Sequence, residues 1–173
     1  LDKTGTVTQG RPAVTDVLPT GGATGDRLLA LAAAVEARSE HPLARAIVEA
    51  ARRRGLAIPE ARNLTALPGK GARASVEGRT LYVGNARLFA ELGQAPAGTA
   101  FRTAAELAAQ GKTAMVVGAA DEALGVIAIA DGLRPQSRAA VAGMRGAGIA
   151  HIALLTGDNA ATARAMAPAL EPA

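Results

Sequence analysis

The sequence predicts an α/β protein in which the two ends of the chain form a parallel sheet. A middle segment interrupts it as an α+β insertion built on an antiparallel sheet. Three observations carry this reading. Ile149–Leu155 is an almost unbroken apolar run that leads into Thr156-Gly157-Asp158-Asn159 and then a helical pattern over 160–167. An apolar strand ending in a polar loop and followed by a helix marks a parallel sheet covered on both faces. The chain opens Leu1-Asp2-Lys3-Thr4-Gly5-Thr6, a loop of the kind that follows such a strand, and Leu1 is expected to be that strand's last residue. Between the ends, segments within 63–85 and 113–130 alternate with the two-residue period of half-buried strands.

The elements follow in order. Residues 17–26 (VLPTGGATGD) are rich in Gly, Pro and Thr and read as a linker. A helix over about 26–37 starts near Thr24 or Gly25 and places Leu28, Leu31, Ala32 and Val35 on one face. Ser39-Glu40-His41-Pro42 ends it. Pro42 biases His41 toward extended backbone and suits the first turn of a second helix. That helix carries Leu43, Ile47 and Ala50 at i, i+4, i+7 and stops at Gly55. Residues 72–78 and 79–85 read as a hairpin turning at Glu77-Gly78. Short helices follow near 85–92 and 99–110, then Thr113–Val117 and Leu124–Ala130 as strands paired around 119–122. Asp131-Gly132-Leu133-Arg134-Pro135 leads into a helix with Val141 and Met144. The expected units are 1–21 and 130–173, the two parts of the α/β unit, and 22–129, the insertion.

Composition narrows the chemistry. With 173 residues and 49% hydrophobic content, the chain can bury a core and is not disordered. The only aromatics are Tyr82, Phe89 and Phe101, so the core is aliphatic and an aromatic ligand finds few rings to stack on. There is no cysteine, which excludes disulfides, thiolate metal sites and cysteine nucleophiles. Net charge is +4. Its densest run, Arg52-Arg53-Arg54, ends a helix, where it complements the dipole and reads as a solvated helix end rather than a nucleic-acid site. No stretch approaches the ~20 apolar residues that span a bilayer, and no signal peptide is visible, so the chain as given reads as soluble and cytosolic.

In an open parallel sheet, ligands bind beyond the carboxyl ends of the strands. There the loops Asp2–Thr6 and Thr156–Asn159 are expected to meet, offering carboxylate, lysine, hydroxyls and glycine N–H groups. This set suits phosphoryl transfer, where positioning and charge neutralisation supply most of the catalysis. Asp2 is the candidate nucleophile toward a nucleotide γ-phosphate. Gly5 allows close backbone approach, Thr6 and Thr156 donate to phosphate oxygens, and Mg²⁺ fits beside Asp2 on oxygen ligands. Each residue alone also fits an Asx-type turn at a strand end.

Taken whole, Asp2-Lys3-Thr4-Gly5-Thr6-Val7-Thr8 resembles the phosphorylation motif of the P-type ATPases, membrane cation pumps of the haloacid-dehalogenase superfamily. Two more segments are similar to family motifs in the family's order: Asp131-Gly-Leu-Arg134-Pro135 and Thr156-Gly157-Asp158. The resemblance implies a haloacid-dehalogenase-like, Rossmann-like sheet with an inserted nucleotide-binding domain. It makes Asp2 the phosphorylated residue and Thr156 a phosphate ligand. Thr4 would offer its carbonyl to Mg²⁺, with Lys3, Asp131, Arg134, Gly157 and Asp158 around phosphate and nucleotide. Soluble phosphatases of the superfamily usually carry a second aspartate two residues after the nucleophile, as general acid/base. Here that position is Thr4, so the aspartyl phosphate loses its nearest base and should live longer, as a pump requires.

Within the insertion, Ala37–Ile47 resembles the Ser-Glu-His-Pro motif of the heavy-metal (type IB) branch. Leu67–Gly78 is similar to that branch's Gly-x-Gly segment, and Leu81–Asn85 to its following strand end. His41 and Gly69 lie about 28 residues apart. Carried over, His41 lies against adenine, Glu36 bonds the adenine edge, and Gly69, Gly71 and Gly84 let ATP approach the backbone. Gly111-Lys112-Thr113 also resembles a family segment. The family pattern continues to a Gly-Asp-Gly-x-Asn-Asp loop and a lysine that this sequence does not contain, so weak or no phosphorylation is expected of this piece. By resemblance the chain is a cytosolic region of an integral plasma-membrane pump. Its expected partners are ATP and the pump's transmembrane and actuator domains, and it binds neither nucleic acid nor the transported metal. Cu⁺ and the Zn²⁺/Cd²⁺/Co²⁺ group both stay open. The rival readings are a soluble aspartate-nucleophile phosphatase, a non-catalytic ATP-binding module and a potassium-pump subunit.

Overall fold

The computed structural model describes residues 1–94, 98–153 and Leu155, with the backbone alone at Lys3 and Thr4. A π-helical turn over Lys3–Val7 leads into β1 (Thr8–Pro19). Then come α1 (Gly25–Glu36), α2 (Pro42–Arg53), β2 (Ala61–Leu67), β3 (Gly71–Val76) and β4 (Arg79–Gly84). The chain continues through α3 (Ala86–Glu91), α4 (Thr99–Ala109), β5 (Thr113–Gly118), β6 (Ala123–Leu133) and α5 (Ser137–Gly146). The six strands form one antiparallel sheet in the order β1-β6-β5-β4-β3-β2.

The two-residue period assigns the faces. Leu81 and Val83, Met115 and Val117, and Ile127 and Ile129 point to one side, where α1 and α2 cover them. Tyr82, Val116, Val126 and Ala128 point to the other, against α3 and α4. All three aromatics lie on that second side: Phe89 makes edge-to-face contacts with Tyr82 at 6.4 Å and Phe101 at 6.2 Å between ring centroids. Helix α1 is more enclosed than its expected single apolar face. Every residue from Leu28 to Glu36 is buried, because Ala30, Ala32, Ala33 and Ala34 are small enough to admit α2 and the sheet together. Thr24 caps α1 by accepting the Arg27 N–H at 3.2 Å, and Arg52 and Arg53 occupy the last turn of α2, as expected.

Two expectations need correction. Residues 17–26 are not wholly a linker, since β1 runs to Pro19, and Thr20 still donates its N–H to the Leu124 carbonyl at 2.8 Å. Pro12 and Pro19 disguise the strand in the sequence. Proline is tolerated here because β1 lies at the sheet edge, where outward N–H groups need no ladder partner. The apolar run Ile149–Leu155 is also not a buried strand among the described residues. Leu155 makes one parallel bridge to Asp2, with Leu155 N–H to Leu1 O at 2.7 Å and the Leu1 amino group to Ala153 O at 2.6 Å. Ile149 is 46% and Leu155 67% exposed, while Ile152 between them packs partly buried against Val7 and Val141. The expected helix over 160–167 lies outside the described residues.

In the β3–β4 pairing Gly71 faces Gly84. A Cβ at Gly71 would stand 2.0 Å from the Val83 carbonyl oxygen, on a backbone at φ +147°. Gly69, at φ +70°, has open space where its Cβ would be. Gly71→Ala is therefore expected to destabilise the chain by more than about 2 kcal/mol, against roughly 1 kcal/mol for Gly69→Ala, as read by urea denaturation.

Candidate functional site

A cleft of about 900 Å³ opens where the α1–α2 connection meets the β2–β3 turn. Glu36, His41, Gly69, Lys70, Gly71 and Asn85 are on its walls. The sequence places each by ordinary local rules. Pro42 at the first turn of α2 makes His41 the N-cap, and the ring Nδ1 accepts the Leu43 N–H at 3.3 Å. That bond leaves the imidazole proton on Nε2 and fixes how an exposed ring stands at the cleft mouth. With the three aromatics on the opposite side of the sheet, His41 is the flat ring that the cleft presents. Glu36, the last residue of α1, is only 4% exposed. Burial pushes its carboxyl up to about 7, partly offset by a hydrogen bond with Ser39.

Four of the five expected nucleotide residues therefore share one space. Gly84 does not line it: it is buried beneath Gly71, and its missing Cβ makes room for the Lys70 carbonyl and Leu88. Sequence reasoning missed Asn85. Its Nδ2 donates to the Gly69 carbonyl at 3.0 Å, its N–H to the Lys70 carbonyl at 2.9 Å, and its Oδ1 caps α3 at Leu88 N. An asparagine directly after a strand and before a helical run carries that capping signal.

At the other end of the sheet, β1 continues backward into the loop of Asp2. Asp2 and Thr6 are exposed, and Gly5 has φ +77°. The parallel bridge sets Asp2 beside Leu155, the residue before Thr156. Thr156, Gly157 and Asp158 lie outside the described residues. Asp131 and Arg134 are engaged with the backbone of 5–11: Asp131 accepts from Thr8, Gly10 and Arg11, and Arg134 donates to Gly5 and Thr8. Lys112 reaches Asp16 on β1 at 2.7 Å, and that bond, with one from Thr15, holds the Asp16 carboxyl below its usual range. Among the described residues no group of three His, Cys, Asp or Glu side chains is placed to hold a metal ion.

Comparison with known proteins identifies the family. A family model described as haloacid dehalogenase-like hydrolase matches residues 1–172. The chain belongs to that family. Over 98% of its length it is 42% identical to a copper-transporting P-type ATPase of Rhizobium leguminosarum, and over 96% it is 42% identical to a copper-exporting P-type ATPase of Bacillus subtilis. It is also 38% identical, over 96%, to a probable cadmium-transporting ATPase of Staphylococcus aureus. The chain spans about a fifth of each of these relatives (20%, 21% and 23%). Among solved structures it resembles a zinc-transporting PIB-type ATPase, with TM-score 0.79 and 40% identity over 98% of this haloacid dehalogenase-like chain and 27% of that one. It also matches the N-domain of a copper-transporting P-type ATPase, with TM-score 0.57 and 28% identity, covering 69% of this chain and 99% of that one.

Glu36 makes stability depend on pH. Its folded-state value near 7 lies above the ordinary 4.5, so the folded chain holds this proton more tightly than the unfolded one. The resulting stability is complete below about pH 4.5 and is lost as pH rises through about 7, by at most about 3 kcal/mol. The melting temperature of the nucleotide-free chain should therefore fall between pH 5 and 8. Glu36→Gln should remove this component of the fall, as calorimetry across that range would show.

Proposed function

We propose that this chain is the ATP-binding and phosphorylation region of a heavy-metal-transporting P-type ATPase, a pump that couples ATP hydrolysis to metal-ion translocation. The observation that carries it is the convergence of Glu36, His41, Gly69 and Gly71 on one cleft, in a sheet whose edge strand leads directly to Asp2. Adenine stacks on the fixed His41 ring while the Glu36 carboxyl bonds its edge. The glycine turn supports the ribose and phosphates.

Asp2 is the nucleophile. Its carboxylate oxygen forms a bond to the γ-phosphorus as the bond to the β–γ bridging oxygen breaks, and ADP leaves with that electron pair. Lys3 and Thr6 neutralise and orient the transferred group, and Thr156, Gly157 and Asp158 are assigned to the same task by their motif. The donors at this loop are hard oxygens, which suits Mg²⁺ held by the Asp2 carboxylate and the Thr4 carbonyl. Mg²⁺ would neutralise phosphate charge there. Thr4, with no carboxylate, leaves the aspartyl phosphate without a general base beside it.

The division proposed is 1–21 and 130–173 for phosphorylation and 22–129 for nucleotide binding, which the match to an isolated N-domain supports in outline. Among the described residues no helix is long and apolar enough to cross a membrane. The reading places this region on the cytosolic side of a plasma-membrane pump, working with that pump's transmembrane and actuator domains. Named relatives include copper and cadmium transporters, so the transported metal is left as a heavy-metal ion.

Titration with ATP, followed through the His41 ring signals by NMR, tests the reading. His41→Ala should weaken ATP binding roughly tenfold through lost stacking. Asp2→Asn should bind ATP as before and lose all acid-stable labelling from γ-labelled ATP in the intact pump. Unshifted His41 signals at saturating ATP would refute the cleft assignment.

A further inference from the structure

Strand β1 joins the cleft-bearing sheet to the loop of Asp2, its partner β6 leads out of the same sheet to Arg134 and α5, and their last pairings are irregular. Thr8 pairs with Leu133 and Pro12 with Asp131. Gln9, Gly10 and Arg11 therefore bulge out opposite Gly132 alone, and Gly10 (φ +71°) folds back until its Cβ would lie 3.3 Å from the Gly5 Cα. Such a bulge strips N–H groups of their ladder partners. Here one side chain restores them. Asp131 accepts the Gly10 N–H on Oδ2 and the Arg11 N–H on Oδ1, each at 3.0 Å, and Oδ2 also accepts the Thr8 hydroxyl at 2.5 Å. The fully buried Thr8 hydroxyl in turn accepts the Gly5 N–H at 3.3 Å.

The carbonyls of the same stretch are held from the same segment. Arg134 donates Nη2 to Gly5 O at 2.7 Å and Nε to Thr8 O at 3.0 Å. Its backbone N–H goes to Val7 O at 3.0 Å, which also accepts the Ser137 hydroxyl at 2.6 Å. Two arms of the planar Arg134 fork are thus spent on main-chain oxygens three and six residues after the nucleophile. Lysine, a point charge on a flexible stem, cannot reproduce that two-armed geometry.

We propose that Asp131, Arg134 and Ser137 form a clamp that positions the Asp2 loop relative to the nucleotide cleft, and that Arg134 is a positioning residue and not a phosphate ligand. The proposal rests on the reading of Asp2 as nucleophile and of the cleft as the ATP site. Bending between the cleft and the loop must pass through β1 and β6, so the clamp sets the angle at which the γ-phosphate is presented. Loosening it leaves nucleotide binding intact and lowers the rate of transfer.

Amide exchange, nucleotide affinity and phosphorylation of the intact pump test this together. Asp131→Asn retains one acceptor oxygen and should raise exchange at Gly10 and Arg11 at least tenfold, with β3 and β4 unchanged. Thr8→Ser should keep wild-type exchange at Gly5, and Thr8→Val should lose it, which separates the hydroxyl's role from simple misfolding. Arg134→Lys should bind ATP and adenosine within twofold of the parent, leave the ATP concentration for half-maximal labelling unchanged, and form phosphoenzyme at least tenfold more slowly. Unchanged exchange and labelling would overturn the clamp. So would a tenfold loss of ATP affinity with adenosine affinity kept, which would make Arg134 a phosphate ligand. If the parent itself binds no ATP, the nucleotide reading fails, and the exchange measurements still decide the clamp.

Discussion

The ladder between β1 and β6 is the interaction on which the arrangement depends. It runs from Thr8–Leu133 to Pro19–Gly125 and carries the edge of the antiparallel sheet into the loop of Asp2. On one side, Ile127 and Ile129 of β6 join the core under α1 and α2, which present Glu36 and His41. At its far end the same pair of strands delivers Gly5, Val7 and Thr8 to Asp131, Arg134 and Ser137. On the proposed reading a nucleotide in the cleft must meet Asp2 at the other end, and this ladder transmits their geometry. The Lys112–Asp16 ion pair, half-buried and at 2.7 Å, adds a tie from the start of β5 across to β1.

The cleft shows how an aromatic-poor chain presents a flat ring at a cavity mouth. The three aromatic rings pack against one another on the far side of the sheet, where they stabilise the core. The ring at the cleft is a helix-capping histidine, exposed yet fixed, because its Nδ1 is committed to the Leu43 N–H. Holding a ring in place before binding reduces the ordering cost that a free side chain would impose. Glu36 adds a carboxyl to the cleft wall that burial pushes up to about 7.

Glycine serves two separate ends in the Gly-x-Gly turn. Gly69 supplies a left-handed backbone with nothing near its missing side chain. Gly71 and Gly84 instead permit β3 and β4 to touch, and only the first of these reaches the cleft wall. A motif whose residues look alike in sequence thus divides into a turn residue and a packing pair, and Asn85 fastens the two parts by hydrogen bonds to Gly69 and Lys70.

What the residues determine by themselves is local. Thr24, Pro42, Glu77-Gly78 and the alternation in 72–85 and 113–130 specify caps, turns and strands through short-range sterics and hydrogen bonding, and these elements stand where their sequences place them. The contiguous Asp2–Thr8 motif and the His41 segment likewise carry the family resemblance in the sequence alone. Tertiary structure decided the rest, for reasons of distance. The proline-bearing β1 is a strand only because β6 offers it a partner more than a hundred residues away. Gly84 is a packing residue only because Leu88 and the Lys70 carbonyl crowd it. Asp131 and Arg134 meet the backbone of 5–11 only because two remote segments pair out of register. Local rules cannot anticipate partners that only a completed sheet brings together.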